Sequence, residues 1–233
     1  MKELMFVIPF AGGSSNSFLG WETDEDIECV FIDTPGKGMN SQLPFLDSMS
    51  SMVDFCESLI DEYLERRKTD RYYLFGHSMG SYLAYETALN MQKHHKAKPN
   101  MLIMSGTTAP DTFRKDEIIE AIKDDESFIN YIKDFNMLNE NVINSRFFKD
   151  RYLKVIKNDY SAILSYKNDY GFLEGVETYI INGKNDIYSE KEVMGWSDYF
   201  ERLPKYKWIC GDHFSILKNF SLIAEIVGNK NDL

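Results

Sequence analysis

Gly76-His77-Ser78-Met79-Gly80 sets a serine between two glycines, directly after the apolar run Tyr72-Tyr73-Leu74-Phe75. That setting suits a nucleophile elbow, where a strand turns sharply into a helix and presents a hydroxyl on strained backbone. The positions two before and two after must be bare, because a side chain there would strike the strand or the helix. Gly76 and Gly80 leave that room, and "SYLAYETALNMQK" after them reads as a helix. Its N-terminus aims free N–H groups at the serine and favours negative charge there. The chemistry this spacing predicts is attack of Ser78 on an acyl carbon.

A free hydroxyl is a poor nucleophile at neutral pH and needs a base. The histidines are His77, His94, His95 and His213. His77 adjoins the serine, so its ring is expected to point elsewhere at the turn. His94 and His95 lie in "QKHHKAKPN", which reads as a solvated helix end, and adjacent helical residues diverge rather than chelate one ion. His213, in "WICGDHFSIL" at the end of the last apolar run, is the expected base. A carboxylate must orient its ring. Asp186 in "ETYIINGKNDIYS" is the first choice, because Ser, Asp, His is the chain order expected of an α/β-hydrolase. Asp111 in "SGTTAPD" is the rival, Asp212 is poorly placed beside His213, and Asp33 reads as a strand-end residue. Acyl transfer also needs N–H donors for the developing oxyanion. Met79 supplies one, and the loop "VIPFAGGSS" supplies the other through Ala11, with Phe10 as the alternative.

These residues need a scaffold that gathers them at one edge. Short apolar runs at 4–9, 28–33, 71–76, 100–106, 177–183 and 206–210 are bounded by turn residues, as buried parallel strands are. Helical spacing covers 47–67, with Asp47 or Ser48 to cap it, and also 79–93 and 219–227. The alternation predicts right-handed crossovers and a mostly parallel sheet flanked by helices, the α/β-hydrolase fold, as one domain over 1–233. From Asp111 to about Tyr170 no strand pattern occurs, and the amphipathic runs there predict an inserted helical lid, about 111–170. Its Phe128, Tyr131, Ile132, Phe135, Phe147, Phe148 and Tyr152, with Phe10 below, are expected to line an acyl pocket or else to dock the lid helices.

Composition narrows the partners. The 233 residues carry a formal net charge of -11, which disfavours a nucleic-acid phosphate backbone. An acidic protein partner would need a locally neutral or basic patch. No apolar run approaches the roughly 20 residues that span a bilayer, and no signal segment is evident, so a cytoplasmic location is expected. Cys29, Cys56 and Cys210 have neither disulfide-framework nor metal-ligand spacing and are expected as small buried hydrophobes, with no metal site.

The motifs "PFAGGSS", "DTPGKG", "FGHSMGSYLAYE", "MSGTTAP", "GKND" and "GDHF", in this order, resemble the type II thioesterases that accompany nonribosomal peptide and polyketide synthetases. The resemblance spans nearly the whole chain, including "FFKDRYLKVIKNDYSAILSY" in the lid. It implies a nucleophile at Ser78, an acid at Asp186, a base at His213 and an oxyanion loop at "PFAGG". Ser105 stands where synthetase-fused thioesterase domains carry the acid, which favours the stand-alone class. Two departures stand out: Lys37 replaces a frequent arginine in "PGKG", and Asp212 replaces a frequent glycine before the base. The implied activity is hydrolysis of acyl groups from the phosphopantetheine thiol of acyl or peptidyl carrier domains, by a monomer without a cofactor of its own. Some relatives of that family release medium-chain fatty acids instead, and a carboxylesterase would use the same triad.

Overall fold

The computed structural model describes residues 2–21, 25–135, 140–167 and 171–228. Six strands form one parallel sheet: β1 (Glu3–Ile8), β2 (Ile27–Phe31), β3 (Tyr73–His77), β4 (Met101–Ser105), β5 (Glu177–Gly183) and β6 (Lys205–Ile209). Their order is β2-β1-β3-β4-β5-β6. Strand order reverses at β1, which pairs with both β2 and β3, and this is where α/β sheets open a crevice at their carboxyl ends.

The continuous apolar runs follow from burial on both faces. Leu4, Phe6 and Ile8 of β1 pack on one side and Met5 and Val7 on the other. The first side is covered by α1 (Met49–Arg67) and α2 (Met79–Lys93). Met52, Cys56, Ile60 and Leu64 of α1 are buried there, each apolar side chain contributing about 1.5–3 kcal/mol. Ser48 starts α1 by accepting from the Ser51 N–H, and Lys68 ends it in a left-handed conformation. The second side carries Phe18 and Trp21 beside Phe75, and the C-terminal helix with Ile223 and Ile226.

Between β4 and β5 the described residues form helices: α3 (Lys115–Ala121), α4 (Asp125–Lys133), α5 (Glu140–Ile143), and a wide turn at Phe148–Tyr152 that runs into α6 (Leu153–Ser165). They enclose a small apolar cluster of their own, with Phe128, Ile132, Ile143, Phe148 and Ile156. Residues 136–139 and 168–170 of the expected insertion lie outside the described residues. After β5 come α7 (Glu190–Met194), capped by Ser189 and Glu192, and finally α8 (Phe220–Gly228). Helix α7 went unread in the sequence because five residues are too few to show a period.

One expectation needs correction. Only Cys56 is buried; Cys29 is half-buried and Cys210 exposed. Both lie on or next to edge strands, β2 and β6, which have a neighbour on one side only. His94 and His95 are exposed at the end of α2, as expected, and His94 Nδ1 also lies 2.6 Å from a Glu57 carboxylate oxygen on α1, which ties the end of α2 to its neighbour.

Candidate active site

The elbow is built as its glycines require. Ser78 has φ 54° and ψ -119°, a conformation a side chain rarely adopts, between the last residue of β3 and the first of α2. A Cβ on Gly76 would strike the Gly80 carbonyl, and one on Gly80 would strike the carbonyls of Ile8 and Pro9. The start of α2 is therefore pressed on the end of β1, beside the loop that follows it. Ser78 N–H donates to the Ser105 carbonyl at 2.7 Å, fixing the turn against β4. The N–H groups of Ala11 and Met79 have no hydrogen-bond partner among the described residues.

His213 and Asp186 meet across the loops after β6 and β5. His213 Nδ1 lies 3.0 and 3.1 Å from the two Asp186 carboxylate oxygens. Both side chains are shut off from solvent, 2% and 0% exposed. An ionised carboxylate only accepts, so Nδ1 carries the proton and Nε2 keeps its lone pair. Asp111 sits in the turn Pro110–Thr112 instead. Asp212 accepts from Phe214 N–H at 3.2 Å and Ser215 Oγ at 3.0 Å, so it shapes the loop of the base without touching its ring.

Ser78, His213, Phe10 and Ala11 line one cavity with Phe214, and Ile132, Phe135, Ile156 and Tyr160 of the inserted helices roof it. Aromatic rings crowd the imidazole: Phe135 and His77 at 5.0 Å, Phe214 at 4.9 Å and Tyr188 at 5.7 Å between centroids. The space left between these side chains is narrow, about 10 Å³, room for roughly one water molecule. No hydrogen bond joins Ser78 Oγ to His213 among the described residues. Among the same residues no cluster of three or more His, Cys, Asp or Glu is placed to hold a metal, and no helix is long and apolar enough to cross a membrane.

The expected pocket residues separate. Phe10 and Phe135 line the cavity. Phe128 is fully buried inside the cluster of inserted helices, edge-on to Tyr160 at 5.2 Å. Tyr152 lies beside Gly12, whose added Cβ would come within 3.4 Å of the phenol oxygen. Phe147 is 69% exposed and is not among the residues lining this cavity, because Phe148 takes the inward position. Sequence reasoning missed the place of His77, which is buried, packs its ring at a tilt beside that of His213 and places Nδ1 3.2 Å from the Ser105 carbonyl. Burial, and then the neighbouring His213, hold its pKa well below the usual 6.5, so it stays neutral.

A comparison with known proteins decides the family. The thioesterase domain family matches residues 4–230. The chain belongs to the thioesterase domain family. Among the relatives of this thioesterase is the gramicidin S biosynthesis protein GrsT of Aneurinibacillus migulanus, 25% identical over 224 residues, covering 94% of this chain and 84% of the relative. The medium-chain S-acyl fatty acid synthase thioesterase of Rattus norvegicus is 22% identical over 220 residues, covering 92% and 81%. The solved structure of YbtT, a type II thioesterase from the yersiniabactin NRPS/PKS pathway, superposes with a TM-score of 0.80 at 24% identity, covering 97% of this chain and 92% of that one. The thioesterase therefore has the α/β-hydrolase fold, as its motifs predicted.

Proposed function

We propose that the chain is a stand-alone editing thioesterase that hydrolyses acyl groups from the phosphopantetheine arm of carrier domains. The misloaded carriers of a nonribosomal peptide or polyketide synthetase are its substrates. His213 Nε2 takes the Ser78 proton as Oγ attacks the thioester carbonyl. Asp186 holds the ring in the right tautomer and stabilises the imidazolium. The Ala11 and Met79 N–H groups receive the oxyanion, and the start of α2 adds its dipole. The pantetheine thiol leaves with a proton from His213. A water deprotonated by His213 then attacks the acyl-enzyme, and the acid product leaves with Ser78 restored. No metal or organic cofactor takes part.

The observation that carries this reading is His213, paired with the buried Asp186 side chain, lining the same apolar cavity as the strained Ser78. The names of relatives such as GrsT and YbtT support the biosynthetic setting. Ile132, Phe135, Ile156 and Tyr160 line the cavity beside Ser78, so on this reading the inserted helices act as a lid over the acyl site. The test is intact-mass analysis of acyl-loaded carrier domains incubated with the enzyme or with its Ser78→Ala variant. Loss of the acyl mass with the intact enzyme alone is expected. Turnover of free oxyesters with untouched acyl carriers would make it a carboxylesterase instead.

A further inference from the structure

The loop that carries Ala11 is held from the lid, not only from the sheet. Asp159 of α6 is 1% exposed, and its Oδ2 accepts from the Gly12 N–H at 2.7 Å and from Lys37 Nζ at 2.7 Å. Lys37 is itself buried, 7% exposed, in the turn after β2. An ion pair so placed costs desolvation, and keeping it demands close geometry on every partner. Gly12 has φ +77°, and any Cβ there would press on Ile156 and approach Tyr152, both from the lid side. Further along the same loop, Asp33 accepts from Ser15 N–H at 2.7 Å and Ser15 Oγ at 2.8 Å. The loop is thus tied at Ser15 to the turn after β2, and at Gly12, next to Ala11, to a helix of the insertion that roofs the cavity.

We infer that Asp159 is a positioning residue: from the lid it sets the Gly12 peptide, and through it the Ala11 N–H, so the oxyanion hole is complete only when the lid is closed over the substrate. Lys37 fixes the carboxylate in turn. Lid closure then does two jobs: it excludes water and it aligns the second oxyanion donor. The inference rests on the proposed Ser78 mechanism and adds a role for a residue that touches no reacting atom.

The test uses the full-length enzyme with p-nitrophenyl butyrate as substrate and butylboronic acid as a tetrahedral adduct former, with fluorophosphonate labelling of Ser78 read on a separate sample. Removing an oxyanion donor costs about 100–1,000-fold in kcat. Loosening one through Asp159→Ala is therefore expected to cost about 10–100-fold, with KM within about threefold and the boronate inhibition constant raised by a similar factor. Asp159→Asn keeps an acceptor for Gly12 and should retain most of the lost kcat. Removing one charge alone destabilises the fold, so a paired variant, Lys37→Met with Asp159→Leu, restores an uncharged core. It should regain thermal stability while kcat stays low. Wild-type kcat and boronate affinity in Asp159→Ala, or their recovery in step with stability in the paired variant, would overturn the inference. A wild-type enzyme that takes no fluorophosphonate at Ser78 would instead sink the nucleophile assignment, and this role with it.

Discussion

The rim of the sheet and the lid above it are built on different principles. At the rim, backbone decides position: Ser78 is wedged where Gly76 and Gly80 leave no space for a Cβ, and its N–H is pinned to Ser105. The inserted helices rest on side chains: a small cluster around Phe128, Phe148 and Ile156, the residues Ile118, Ala162, Ile163 and Tyr166 that they bury in the main core, Phe135 against the His213 ring, and the buried Asp159 on Gly12. A rim fixed by backbone holds its geometry rigidly, while helices held by side-chain contacts can be loosened one contact at a time.

Breaking the rim chemically should give the largest effect. Ser78→Ala is expected to lower kcat by about 10⁴-fold or more with stability retained, and His213→Ala by a similar factor. The double variant should be no worse than either, since the residues act as one unit; additive losses in steady-state assays would separate them.

The lid's core comes next. Phe128→Ala should cost about 3–5 kcal/mol in the stability of the lid, whereas Phe147→Ala, at a 69% exposed position, should stay within about 0.5 kcal/mol. Protease susceptibility of residues 111–167 reads both. Equal effects would erase the distinction between inward and outward lid positions. Gly80→Ala tests the rim in the same currency. A Cβ pressed on the Ile8 and Pro9 carbonyls should cost about 2–4 kcal/mol in urea unfolding of the whole sheet.

His77 supplies a pH signature of the rim. Its folded pKa lies well below the usual 6.5, so the unfolded chain binds the extra proton first. Its contribution to stability is full above about pH 6.5 and falls as pH drops below it, by up to about 1.4 kcal/mol per pH unit. His77→Gln should flatten that slope between pH 6.5 and 5; an unchanged slope would place the titration elsewhere. The smallest effect is in the thiols. Burial pushes Cys56 up to about 12, so iodoacetamide at pH 8 should modify exposed Cys210 and leave Cys56 untouched until unfolding.

The same contrast explains what the sequence could show. The rim was legible because its constraints are local: a serine between bare positions, a helix after a strand, a histidine after the last strand. Strand runs were legible because both faces are buried, and their ends shifted by only a residue or two, as when Pro9 fell outside β1 and His77 inside β3. The lid's helices were visible, but not which of Phe128, Phe135 and Phe147 faces the cavity, since that depends on how the helices sit on the rim. Lys37 drew notice only as a departure from a motif. Its partner Asp159 lies 122 residues away, so nothing short of the fold could pair them. The contact of His77 with His213 was hidden for the same reason.

The central claim is that acyl groups pass through Ser78. Rapid acid quench of the enzyme mixed with an acyl-pantetheine thioester, followed by intact-mass and peptide mapping, reads that directly. The account predicts an acyl increment on the peptide containing Ser78, absent from Ser78→Ala. Complete thioester hydrolysis with no acyl group on Ser78 at any time would contradict it.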